Sequence, residues 1–312
     1  MRKLAVVAIG GNALIRAGER GTIAEQLKNA DETCRQIVRL VQEAYSVVIT
    51  HGNGPQVGAA LMRSELAAHQ VYTHSLDVCD AETQGSMGYL LQVSMRRSLA
   101  RVGLQHPVAT VISQVLVDSN DPAFEDPTKP IGPFYSREEA LRRQEEFGWV
   151  MVEDAARGYR RVVPSPKPLD IVELDVIRTC VERGIITIAV GGGGIPVVCA
   201  NGDLHGVEAV VDKDRASALL AKLLQAEFLI ISTGEEYVYV NYRKSNQHPV
   251  PRMTLEEALA YSRDGQFPAG NMGPKIESAV EFLQHGGREV IITTPERIVD
   301  ALKGRTGTRI VP

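Results

Sequence analysis

Six apolar residues in unbroken succession, Leu4-Ala5-Val6-Val7-Ala8-Ile9, run straight into Gly10-Gly11-Asn12. A strand with no polar face must be covered on both sides, as at the centre of a parallel sheet clothed by helices. The arrangement recurs. Val47-Val48-Ile49-Thr50 leads into His51-Gly52-Asn53-Gly54-Pro55-Gln56, and residues 185–190 lead into Gly191-Gly192-Gly193-Gly194. Between the first two, residues 23–43 place Leu27, Ala30, Cys34, Ile37, Val38 and Val41 near one helical face. Strand and helix patterns continue to alternate, which predicts an α/β fold with a covered parallel sheet.

The spacing predicts helices over 55–69, 80–101, 171–183, 213–225, 274–285 and 295–303. It predicts further strands over 108–112, 228–232, 289–293 and 308–311. The texture changes from 118 to 168, where seven prolines fall. That stretch reads as an inserted β-rich subdomain with a helix over 136–147 and a strand over 149–152. With no internal repeat and no low-complexity linker, residues 1–312 read as one domain carrying this excursion.

Other classes are disfavoured by composition. A formal net charge of -4 argues against general nucleic-acid binding. No apolar run approaches the roughly 20 residues that span a bilayer. The N-terminus lacks the longer apolar region of a signal peptide. Cys34, Cys79, Cys180 and Cys199 form no C-x-x-C pair, so they read as reduced cysteines of a cytoplasmic protein without structural zinc.

One strand-end glycine loop is as often a tight turn as a site. Three of them at strand ends favour a ligand cleft, because open α/β sheets bind there. No G-x-x-x-x-G-K-[ST] sequence is present. Gly52-x-Gly54-x-x-x-Gly58 follows the second strand and has one residue too many for a dinucleotide fingerprint. Ser165 lacks a G-x-S-x-G frame, and His69 with His74 has no metal-ligand spacing.

Three lysines stand in unusual settings. Lys129 lies among prolines and Gly132 in the inserted stretch, and Asp212 and Asp214 flank Lys213 at a predicted helix start. Lys275 follows Gly273-Pro274 in the first turn of another helix. A cation at the positive end of a helix is unfavourable unless an anion sits there too. Asp214 could orient a lysine or assist Mg2+, while Asp212 also reads as a plain helix N-cap. Glycine loops and lysines together point to the handling of phosphate oxygens.

These residues resemble the carbamate kinases of the amino acid kinase superfamily, nearly end to end. The segments that carry the resemblance include AIGGNAL from Ala8, HGNGPQVG from His51, DPTKPIGPFY from Asp126 and GYRRVVPSPKP from Gly158. GGGGIPV from Gly191, GVEAVVDKDRAS from Gly206 and MGPKI from Met272 extend it. The resemblance implies a three-layer α/β/α sandwich with a central mainly parallel sheet, a small protruding subdomain and a homodimer. It implies Mg2+-dependent, reversible transfer of a phosphoryl group between carbamoyl phosphate and ADP, with the metal held mainly through nucleotide phosphates. Lys129, Lys213, Lys275 and Asp214 match the catalytic positions. Gly10, Gly11, Asn12, Gly52, Asn53 and Gly54 match the phosphate and carbamoyl cradle. Gly191, Gly192, Asp212, Tyr239, Met272 and Gly273 fall on the nucleotide side. Residues 232–237 and 242–247 depart from the family pattern, as does Asn271, which bears on the base rather than on the phosphoryl chemistry. A related kinase with another carboxylate acceptor, or a sensor without turnover, remains the alternative.

Overall fold

The computed structural model describes residues 3–11, 14–16, 18–154, 158–268 and 272–312. Its main sheet has eight strands among these residues. In spatial order they are β15 (Arg252–Thr254), β17 (Thr308–Val311), β16 (Glu289–Thr293), β12 (Phe228–Ser232), β1 (Leu4–Ile9), β2 (Ser46–His51), β9 (Ile186–Ile188) and β3 (Val108–Thr110). The pairs from β16 through β3 are all parallel, and β17 runs antiparallel to β16.

Alternating side chains of β1 enter different cores, which makes the sandwich three-layered. Val6 joins Val48, Leu229, Ile231 and Val290 on one face. Ala5, Val7 and Ile9 join Val47, Ile49, Ile230 and Ile291 on the other. The first face is covered by α5 (Leu174–Glu182), α6 (Lys213–Leu223) and α8 (Met272–Gln284) through Ile177, Leu220, Ile276 and Phe282. The second is covered by α1 (Ile23–Gln42), α3 (Leu76–Arg101) and α9 (Ile298–Leu302) through Cys34, Ile37, Met87, Leu91 and Ile298. The predicted helical face of α1 is the buried one, and Thr22 with Glu25 closes its start as a capping box.

The structure also differs from the sequence expectation. A second, four-stranded sheet joins β11 (Asp203–Gly206), β10 (Ile195–Ala200), β4 (Gln114–Val117) and β8 (Pro168–Ile171). Pro196 interrupts the apolar signal of β10, and β11 is exposed throughout, so neither carries the pattern of a buried strand. Ile171 ends a strand rather than starting a helix, α5 begins at Leu174, and α3 begins at Leu76 rather than at 80. Helix α7 (Leu255–Arg263), capped by Thr254 and Glu257, was not anticipated. A two-stranded ribbon, β13 (Val238–Val240) with β14 (His248–Val250), precedes β15 and α7.

Within the proline-rich stretch, β5 (Lys129–Tyr135), β7 (Gly158–Val163) and β6 (Val150–Asp154) form an antiparallel three-stranded sheet. Helix α4 (Arg137–Phe147) packs on it through Ala140, with Arg143 stacked between the rings of Tyr135 and Trp149. This sheet touches α2 (Gly54–Leu66) closely: a Cβ on Gly58 would fall 2.3 Å from the Cα of Gly132.

Candidate active site

Strands β1, β2 and β12 end on the same edge of the sheet, and the first two glycine loops leave from it. Gly52 donates its N–H to the Ile9 carbonyl at 3.0 Å, so the two loops are tied together. A Cβ on Gly52 would meet the Gly11 nitrogen at 3.3 Å and Lys213 Cδ at 3.3 Å. Gly10 is as tight, with the Ser232 carbonyl oxygen 3.1 Å from a built Cβ. Here glycine serves backbone approach. Asn12 lies outside the described residues.

Helix α2 starts at Gly54 with Pro55 in its first turn, and α6 starts at Lys213 with Asp212 as N-cap. The Asp212 carboxylate accepts from the N–H groups of Asp214 (2.9 Å) and Arg215 (3.4 Å). Its second oxygen receives Lys129 Nζ from β5 at 2.6 Å. Burial opposes ionisation of Asp212, but Lys129 beside it outweighs this and holds the carboxyl below its ordinary range. Asp212 thus caps α6, as the sequence suggests, and also anchors a lysine from β5.

Asp214 is the centre of charge. One oxygen receives Lys213 Nζ at 2.6 Å and the other Lys275 Nζ at 3.0 Å. The carboxylate is 5% exposed and the lysines 14% and 12%, so all three sit largely out of water. Burial opposes the Asp214 charge, yet the two lysines drive its pKa far below the ordinary value. Burial, with Lys275 adding to it, lowers the pKa of Lys213, against the pull of Asp214. Thr50 and Ser217 lock α6 to β2 through a 2.6 Å hydrogen bond, and Ser217 donates to the Lys213 carbonyl at 2.6 Å. The helix starts of α2, α6 and α8 therefore converge with three lysines over two glycine loops. Oriented N–H groups, positive helix ends and ammonium groups are the features that binding several anionic oxygens requires.

Gly191 and Gly192 follow β9. They pack against the second loop, where a Cβ on Gly191 would be 2.3 Å from His51 Nε2 and one on Gly192 2.3 Å from Asn53 Nδ2. Gln84 clamps the segment, donating to the carbonyls of Gly191 and Ser113 at 3.0 Å each. Tyr239 and Met272 do come together, lining a small cavity with Glu235, Tyr242, Gln266, Phe267 and Pro268. Tyr242 donates to Glu235 at 2.8 Å, and its ring centroid lies 6.2 Å from that of Tyr239. Gly273 adjoins this cavity through its N–H bond to the Pro268 carbonyl, 2.9 Å. Gly191 and Gly192 do not line it.

Sequence reasoning missed Asp80 and Thr83, whose signal was their shared helical face with buried Leu76 and Met87. Asn53 Nδ2 donates to Asp80 Oδ1 and to Thr83 Oγ1, each at 2.8 Å. Burial pushes the Asp80 carboxyl up to about 8, against the hydrogen bond from Asn53. Burial brings His51 down to about 4, so it stands neutral. Between the ordinary carboxylate value and about pH 8, native Asp80 keeps a proton that the unfolded chain releases. Its contribution to stability therefore falls as pH rises through that window. His51 acts oppositely only below its unfolded value of about 6.5. Urea titrations of Asp80→Asn should accordingly gain on the parent chain from pH 6.5 to 8.5; parallel curves would refute the assignment.

Among the described residues no three His, Cys, Asp or Glu side chains could jointly hold a metal ion. Nor is any helix there long and apolar enough to cross a membrane.

Residues 3–294 match the amino acid kinase family. The carbamate kinase of Thermococcus kodakarensis is 45% identical over 99% of this chain and 99% of its own. The carbamate kinase-like protein YahI of Escherichia coli is 44% identical over 100% and 99%. The solved structure of Giardia lamblia carbamate kinase bound to AMP-PNP superposes with a TM-score of 0.94 at 41% identity, covering 99% of this chain and 98% of that one. The chain belongs to the carbamate kinases of the amino acid kinase family and is a phosphotransferase.

Proposed function

We propose that this chain transfers a phosphoryl group from carbamoyl phosphate to ADP, releasing carbamate and ATP, and catalyses the reverse. The observation that carries this reading is Asp214 held between Lys213 and Lys275 at the edge of the glycine loops. In the forward direction the bond from phosphorus to the carbamate oxygen breaks as the bond to a β-phosphate oxygen of ADP forms. Carbamate leaves as an anion and ADP attacks as one, so neither partner needs a proton moved. Positioning and charge compensation then suffice. Lys213 and Lys275 would meet the oxygens of the phosphoryl group in flight, with Asp214 fixing both ammonium groups. Gly10, Gly11 and Gly54 would present N–H groups to the carbamoyl and phosphate oxygens, while Gly52, whose N–H is given to the Ile9 carbonyl, would let the two loops and Lys213 approach closely. The Tyr239 and Met272 cavity would take the base, and Gly191 and Gly192 would support the second loop.

Mg2+ is expected to arrive with the nucleotide phosphates, whose charge it would partly neutralise. Both Asp214 oxygens are engaged by lysines, which fits a metal held by the nucleotide rather than by a cage of side chains. A homodimer in the cytoplasm belongs to the same reading. Exposed Leu66, Tyr72, Val78 and Tyr89 offer apolar surface for it, and light scattering would test the dimer.

The proline-rich sheet would act as a lid that brings Lys129 to the substrate, exchanging its bond to Asp212 for one to phosphate. Lys129→Ala should lower kcat/KM for carbamoyl phosphate by about tenfold or more while moving the KM for ADP less. Equal kinetics in both proteins would remove the lid role. The function itself is tested by ATP formation from carbamoyl phosphate and MgADP, coupled to hexokinase and corrected for spontaneous decomposition. Turnover supports the assignment; ADP binding without turnover points to a sensor.

A further inference from the structure

We propose that Asp80 and Thr83 are positioning residues that orient the Asn53 amide so that its oxygen reads the NH2 group of the carbamoyl substrate. This rests on the reading above and adds how the site would tell carbamoyl phosphate from other acyl phosphates. Asn53 follows Gly52 in the loop that meets Lys213, and it is 2% exposed. An amide nitrogen has two N–H bonds, and both are used here: one donates to Asp80 Oδ1 and one to Thr83 Oγ1, at 2.8 Å each. The Thr83 hydroxyl donates its own hydrogen to the Asp80 carbonyl at 2.8 Å, so toward Asn53 it can only accept. A reversed amide would set its oxygen 2.8 Å from the Thr83 hydroxyl, whose hydrogen is already given to the Asp80 carbonyl. The orientation is therefore determined, and the Asn53 side chain has only an acceptor left to offer.

An acceptor in that loop discriminates by chemistry. Carbamoyl phosphate and acetyl phosphate share the acyl phosphate and differ in NH2 against CH3. Only the former can donate to the Asn53 oxygen, and a methyl group there leaves that oxygen desolvated and unpaired. Asp80 is itself nearly fully buried, and its Oδ2 has no hydrogen-bond partner among the described residues. A buried carboxyl with half its capacity unused is costly to keep for packing alone. Holding Asn53 gives it a purpose.

The test compares kcat/KM for carbamoyl phosphate with that for acetyl phosphate in the same ATP-forming assay. Where acetyl phosphate turns over too slowly, its inhibition constant replaces its kcat/KM. Asp80→Leu, which removes the acceptor at similar volume, should reduce the carbamoyl-over-acetyl preference by about tenfold or more. Asp80→Asn keeps a carbonyl oxygen for Asn53 and should retain most of the preference. Thr83→Val removes the other acceptor and carries the test where Asp80→Leu does not fold. An unchanged ratio in the Leu and Val variants overturns the proposal, as does an equal loss in Asp80→Asn and Asp80→Leu. A parent enzyme that forms no ATP from carbamoyl phosphate brings down the functional reading itself, which separates that failure from this one.

Discussion

Lys213→Ala should lower kcat for ATP formation by about 10²–10³-fold, as removal of one preorganised donor to a transition-state oxygen does elsewhere. The reason lies in its placement. Its stem lies against Gly52, and its ammonium group is fixed by Asp214 at 2.6 Å. An exposed lysine would bring a solvated, mobile charge; this one brings a fixed charge into a site largely shielded from water. The fold should survive, because Asp214 keeps Lys275 and the α6 N-cap is untouched. Circular dichroism and the ADP dissociation constant should stay close to the parent values. A variant with near-parent turnover would remove Lys213 from the chemistry.

Asp214→Ala should be worse in two ways. It leaves two partly buried lysines without the carboxylate they share, and loss of one partner from a fully buried ion pair costs at most about 3–5 kcal/mol. It also frees both ammonium groups from their geometry, so activity should fall further than in either single lysine variant. Because the native pKa of Asp214 lies below its ordinary unfolded value, its contribution is complete above that unfolded value. It is lost as pH falls below it toward the native pKa. Denaturation curves should therefore show the parent chain losing its advantage over Asp214→Ala as pH falls into the acid range. A stability difference independent of pH down to acid unfolding would contradict this electrostatic account.

The parts of this molecule legible in the sequence are those where one residue type has one physical reason to be present. The apolar run of β1 required cover on both faces, and Val6 and Val7 indeed enter opposite cores. Lys213 and Lys275 were visible as cations at positive helix ends, an oddity that calls for an anion at each. The sequence could not show that Asp214 serves both, since Lys275 lies 61 residues away along the chain. The second sheet escaped because β10 carries Pro196 and β11 lies in solvent, so neither alternates as strands do. Asp80 escaped because an aspartate inside a helical pattern reads as surface until its neighbour across the fold is known. Gly191 and Gly192 were legible as special; their approach to His51 and Asn53, and the positive φ of Gly192, require glycine there.

The most direct test of the account is single-turnover ATP formation from carbamoyl phosphate with enzyme-bound MgADP, run on the parent chain and on Lys213→Ala side by side. The account predicts rapid ATP formation by the parent and a rate at least about 10²-fold lower in the variant at near-equal ADP affinity. Parent enzyme that binds ADP and forms no ATP, or a variant as fast as the parent, would contradict it.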